Sequence, residues 1–371
     1  MADSAVDPCA PWGVMQAGIC NSQLTFAAGP SLTKARDHHG TALVQTASGT
    51  FLYVIGGTDY ARSLRDVYVA QLQTDGSLGP FRTLGTLPSE RSGQGLVVHG
   101  DRIFLVGGRS NNSFLASVIS AQVQTDGSLG GWDTETDLPA ARFHIGAVAS
   151  DAFVYAIGGV KTDNVATLPY LATSDVFYAP LGPDGHLGAW HVAASLPEPR
   201  SHFALHIHEG HLYAIGGFVE SSADGTPLAK TELGASIGPD GAPGVFAPIG
   251  MLADPVATAS VVELQGSLYL LGGLNEDDSF SARIRRASLL DDGKLGDLVD
   301  VGMLPEARSH VHHTPYYNGH LYSVGGSIAL QLPTDAAWVG TFAPPTGIGT
   351  AGQALTARST GKKGARCACS Y

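Results

Sequence analysis

The sequence predicts an all-β chain closed into a six-bladed β-propeller of four-stranded blades, with the last blade completed by an N-terminal strand. Three periodic series in phase carry that prediction. Glycine pairs that end apolar runs fall at Gly56-Gly57, Gly107-Gly108, Gly158-Gly159, Gly216-Gly217, Gly272-Gly273 and Gly325-Gly326. Asp-Gly turns lie between them at Asp75-Gly76, Asp126-Gly127, Asp184-Gly185, Asp240-Gly241 and Asp292-Gly293. An aromatic follows four of these turns (Phe81, Trp132, Trp190, Phe246), with Leu298 in the fifth unit, and a third series follows at Arg91, Arg142, Arg200, Val256 and Arg308. A repeat of about 50 residues with four strand-like segments is the signature of a propeller blade.

Each segment of the unit has its own reason. The first strand begins just after the arginine. The second, read from FLYVIGG, RIFLVGG, FVYAIGG, HLYAIGG, SLYLLGG and HLYSVGG, has the β-branched and aromatic content of a buried strand. The third runs into the Asp-Gly turn, the preferred chemistry of a tight reversal, and the fourth starts at the aromatic. The sixth unit has a third strand around Ala337 to Phe342 and then runs out, whereas Phe26 precedes Arg36 with no complete unit before it. The segment from Gln23 to Ala28 therefore supplies the missing strand, and closure removes the free sheet edges. The organisation reads as an N-terminal extension with two cysteines (1–21), the propeller (22–343) and a flexible glycine-rich tail with two more cysteines (344–371).

Composition narrows the function classes. The net charge of −12 opposes a nucleic-acid surface, which needs a basic footprint. The 48 glycines show no three-residue period, which excludes collagen and fits many tight turns. No apolar run is long enough for a membrane-spanning helix. The N-terminus shows no leader, so the chain is cytoplasmic as written, or secreted or periplasmic if a leader has been removed. Cys9, Cys20, Cys367 and Cys369 cluster at the two ends. Disulfides clasping the ends, a four-thiolate zinc and idle thiols all remain open.

The glycine pair, the later aromatic and the Leu-Pro-x-x-Arg junction at Leu87-Pro88, Leu138-Pro139, Leu196-Pro197 and Leu304-Pro305 resemble the kelch-repeat family over roughly residues 22 to 343. Blade five departs most, with Val256 in place of arginine. The resemblance implies a four-stranded-blade propeller but no single activity, because kelch-like propellers include enzymes, sugar-processing proteins and peptide-binding modules.

Two residues beyond the arginine, the six blades carry His38, Gly93, His144, His202, Thr258 and His310. Four histidines at one repeat position, opening the innermost strands, predict a ring of imidazoles at one channel mouth. Imidazole binds zinc, copper, nickel and iron. Further histidines on the same strands (His39, His206, His208, His312, His313) strengthen that reading. The expected site is one divalent transition metal on His38, His144, His202 and His310. Iron or copper with oxidative chemistry is preferred, and zinc or manganese is the alternative. Four histidines from separate blades resemble the iron site of carotenoid-cleaving oxygenases, although that family has seven blades. Histidine-rich propeller sites also resemble those of metal-dependent polysaccharide lyases.

The expected substrate is a small organic or peptide molecule, and a monomer is expected. A metal-dependent lyase or hydrolase is one alternative. A non-catalytic module binding a peptide, protein or glycan is the other. The variable loops after the glycine pairs supply Tyr60, Arg109, Asp163 and Glu220 as candidates for substrate contact or proton transfer. The recurring arginines are expected to tie adjacent blades. Gly234-Ala235-Ser236-Ile237-Gly238 matches a nucleophile elbow in letters only, because it runs straight into a turn.

Overall fold

The computed structural model describes residues 13–16, 19–22, 24–161, 171–219 and 227–342. Six antiparallel four-stranded sheets form the ring. Blade one is Gly40–Thr46, Gly49–Ile55, Asp66–Gln71 and Arg82–Thr86, and the later blades repeat that order from the inside outward. Blade six takes its outermost strand from Leu24–Ala28, which pairs with Ala337–Phe342 in the register Leu24↔Phe342 to Ala28↔Trp338. The closure expected from the sequence is therefore present. A short hairpin, Gly13–Gln16 with Ile19–Ser22, precedes it. Cys9, Cys367 and Cys369 lie outside the described residues, as does the tail.

The core lies between blades. Strand alternation gives each sheet two apolar faces, and neighbouring faces interlock in the six seams. One seam joins Tyr53, Ile55 and Val67 of blade one to Leu96, Ile103 and Leu105 of blade two. The strand-two tyrosines reach across: Tyr53, Tyr155 and Tyr322 each donate from Oη to the glycine carbonyl of the next blade's Asp-Gly turn, Gly127, Gly241 and Gly76, at 2.9, 3.1 and 2.9 Å. Those turn glycines are required by packing as well as by φ: a Cβ on Gly127 would lie 2.4 Å from Phe51.

The arginine position does two jobs, and only one joins neighbouring blades. Its carbonyl accepts from the second glycine of the preceding blade, as in Gly57 N to Arg91 O (2.8 Å) and Gly159 N to Arg200 O (2.9 Å). The guanidinium instead turns into its own blade: Arg91 donates to the carbonyls of Gly107 and Ser117, and Arg200 to those of Ala214 and Thr231. Cross-blade tying thus belongs to the main chain, because the side chain is needed to satisfy buried carbonyls of its own blade. In blade five, where Val256 replaces the arginine, Arg285 enters from the third strand and donates to the Asp254 carbonyl at 2.8 Å.

Candidate metal centre

The histidine position is a backbone device before it is a chemical one. His38, Gly93, His144, His202, Thr258 and His310 all hold φ between +52° and +57°. Only glycine adopts this left-handed region freely, and an L-residue there costs about 1–2 kcal/mol. A main-chain belt around the channel maintains it. Gly93 N donates to His38 O, His144 N to Gly93 O and Thr258 N to His202 O, each at 2.8 Å, and His38 N donates to His310 O at 3.3 Å. The turned backbone aims each side chain toward the axis.

The rings crowd one mouth. Centroids lie 4.4 Å apart for His38 and His310, 4.6 Å for His38 and His144, and 3.3 Å for His144 and His202. The opposite pair His38 and His202 is 6.5 Å apart. His312 also points in, 5.7 Å from both His38 and His144. Ligand nitrogens close to within 4.8 Å of one another in two sets, His38–His202–His310 and His38–His144–His312. The four expected histidines therefore meet but do not converge as one set, and His38 belongs to both.

The preceding residue decides which nitrogen faces the channel. Asp37 Oδ1 lies 2.6 Å from His38 Nδ1, and Ser201 and Ser309 Oγ lie 3.0 Å from Nδ1 of His202 and His310. An ionised carboxylate only accepts, so Nδ1 of His38 donates to Asp37 and Nε2 is the nitrogen left toward the channel. Asp37 is fully buried, and its other oxygen takes the Ser327 hydroxyl. Burial pushes its carboxyl up, but His38, His310 and Ser327 outweigh that and hold it well below the usual range. His144 follows Phe143 and lacks such a partner: its Nδ1 is buried without a hydrogen bond, as is Nε2 of His312. Burial, then the neighbouring imidazoles, pushes His144, His202 and His312 well below the ordinary histidine value, and His310 to about 3. These four are thereby held in the neutral form, which is the ligating one.

The other expectations divide. Pairings such as Asp37↔Thr58 and Ser92↔Arg109 place the loops after the glycine pairs on the same face as the ring. Tyr60 Oη is 3.5 Å from Ser327 Oγ and so sits one hydroxyl from Asp37. Burial and the Asp37 charge push its phenol up to about 12, so it remains a donor. The Arg109 guanidinium stands 4.9 Å over the Phe143 ring, which packs 3.6 Å from His144. Asp163 and Glu220 lie outside the described residues. His39 is not part of the site: fully buried, its Nε2 lies 2.9 Å from the Val324 carbonyl, and burial pushes it to about 3. It seals the joint between blades six and one. Ser236 ends the third strand of blade four at an exposed position and forms no nucleophile elbow.

Asp37, Ser201, Ser309 and Ser327 were missed by reading only the position two beyond the arginine. The signal for three of them was the residue between, polar before His38, His202 and His310 and aromatic before His144. His312 had a plainer signal. It stands where four of the other blades have Gly40, Gly95, Gly146 and Ala204.

A closed ring of six kelch-like blades defines the class of protein, and comparison agrees. The KLHDC2/KLHL20/DRC7 Kelch-repeats domain matches residues 24–217, just over half of the chain. The chain belongs to the kelch-repeat family. Beta-scruin of Limulus polyphemus is 23% identical over 247 residues, covering 66% of this chain and 25% of that protein, so the chain spans about a quarter of that relative. The solved structure of YjhT superposes with a TM-score of 0.64 at 15% identity, over 83% of this chain and 95% of that one, a likeness of fold.

Proposed function

We propose that the chain is a mononuclear metalloenzyme whose ion sits on Nε2 of His38, His202 and His310, with His144 and His312 flanking the open side. The observation that carries this reading is the hydrogen-bonded partner behind each ligand, Asp37, Ser201 and Ser309. Such partners fix ring orientation and raise ligand basicity. The orphaned nitrogens of His144 and His312 agree with it, since an ion or water is one way a buried polar atom without a protein partner is satisfied. Because Nδ1 of His38 is committed to Asp37, His38 serves one ion, not two.

A neutral ligand set leaves the ion's charge uncompensated, which supports Lewis-acid or redox chemistry when the metal is bound. His144, packed between Phe143 and His202, is poorly placed to take a proton. That favours an ion-centred, oxidative reaction over one that uses the fourth histidine as a base. The substrate is a small organic or peptide molecule entering past Tyr60 and Arg109.

Metal analysis of untagged protein, beside a His38→Ala, His310→Ala variant, tests the reading. About one iron or copper per chain that depends on these histidines supports it. Zinc in the same place moves the chemistry to a lyase or hydrolase, and failure to load any metal after reconstitution overturns it. A binding module is favoured by one specific feature, Leu330 and Leu332, exposed on the blade-six hairpin of the same face.

A further inference from the structure

The loops above the histidine ring carry an aromatic collar that the repeat does not require. Tyr60, Phe114, Phe218 and Phe280 stand three, six, one and seven residues after the second glycine of their blades. No shared offset sets them, so they are not a packing element of the blade. All four nonetheless come to the same mouth. Phe218 lies edge-on to His202 at 5.0 Å, and Phe280 lies 6.4 Å from His310. Phe114 lies 5.4 Å from Phe143, whose ring is 6.2 Å from His38. Tyr60 is exposed, and Phe114, Phe218 and Phe280 are half-buried. Aromatic faces left partly open around a recess are the lining of a small-molecule site.

One cation at this collar stands without a counter-charge. The inward-turned arginines of the frame spend their guanidinium groups on protein acceptors, as Arg36 does on the Gly56 carbonyl and Arg285 on that of Asp254. Arg109 is half-buried, yet among the described residues its side chain donates no hydrogen bond and forms no ion pair. It rests on the face of Phe143. A guanidinium presents its donors in a planar fork that a carboxylate accepts in two parallel bonds. A single such cation matches a singly charged acid.

We propose that the mouth takes a small aromatic carboxylate, of the size of a phenylpropanoate, with its acid group on Arg109. Blade two stands opposite blade five in a closed ring of six. A molecule anchored on Arg109 of blade two therefore lies across the histidines and brings its ring to Phe280 of blade five and Phe218 beside it. This names the substrate class of the metal centre and rests on that reading for the reaction, whereas the binding needs only Arg109 and the collar.

The test follows 3-phenylpropanoate by calorimetry on full-length protein, metal-stripped and metal-reconstituted, beside 3-phenylpropanamide and 3-cyclohexylpropanoate. The acid should bind at least about tenfold more tightly than the amide in both preparations, and Arg109→Gln should remove that advantage. The phenyl compound should exceed the cyclohexyl one by roughly two- to tenfold, a preference lost in the Phe218→Leu, Phe280→Leu variant. Equal binding of acid and amide, or an acid affinity untouched by Arg109→Gln, refutes the proposal. Binding that appears only with metal and ignores Arg109→Gln puts the carboxylate on the ion and refutes it too. A peptide ending in phenylalanine that binds where the free acid does not overturns the small-molecule assignment. If no metal loads but the acid still binds through Arg109, the substrate class stands and the metal reading falls; metal loading without acid binding does the reverse.

Discussion

Replacing His144 by alanine and, separately, by glycine measures how firmly the frame imposes the turn that aims the ring. Both changes delete the imidazole and its contacts with Phe143 and His202, so that loss cancels in the comparison. What differs is a Cβ at φ +52°. Keeping it costs about 1–2 kcal/mol in the left-handed region. Glycine gives back about 0.5–1 kcal/mol because its unfolded chain is freer. His144→Gly should therefore be more stable than His144→Ala by roughly 1 kcal/mol, or about 2–4 °C in the thermal midpoint of a domain somewhat smaller than this one. The comparison belongs on metal-stripped protein, since bound ion adds its own stabilisation. If the alanine variant matches or exceeds the glycine variant, the backbone relaxes when the histidine leaves. The hydrogen-bonded belt of Gly93 and His144 would then not enforce the geometry, and the argument for a preorganised ring fails.

Three further outcomes follow from the same frame. Asp37→Asn should leave the propeller folded by circular dichroism yet weaken the proposed ring ion about 10–100-fold in competition with a chelator, because a neutral amide replaces the charged acceptor behind His38. Gly93→Ala should destabilise by more than about 1 kcal/mol in chemical denaturation, since it combines φ +57° with a Cβ 2.3 Å from the Phe143 ring. Glu232 is 4% exposed where Val67, Val118, Val176, Ile284 and Ala337 fill the other blades, and burial, then Asp297, pushes its carboxyl up to about 7. Folding raises this pKa, so the folded state holds the extra proton and wild-type stability falls as pH rises from about 4.5 to 7. Glu232→Val removes that slope, and its advantage over wild type should grow by up to about 3 kcal/mol across the window. A pH-independent difference between the two melting curves would contradict the assignment.

The blade count, the order of strands and the closure by Leu24–Ala28 were legible because each rests on short-range rules repeated from blade to blade. Apolar runs, Asp-Gly turns and glycine pairs act within a few residues, and their period survives the drift of individual blades. The histidine ring was legible for the same reason: a repeat position maps to one height on the channel wall. Its membership was not. His39 adjoins His38 in sequence, yet strand alternation turns it into the blade-six seam to meet Val324, whereas His312 reaches the ring from a position that is small in most blades.

By itself the sequence determined a closed six-bladed ring with imidazoles at one mouth, since period and residue type need no coordinates. The tertiary structure decided which nitrogens face the channel and which histidines share a ligand set. It also decided that His206 and His208 meet Glu263 at the other end. These depend on distances between blades, set by seam packing and by the left-handed turn at each histidine, and no local pattern in the chain encodes them.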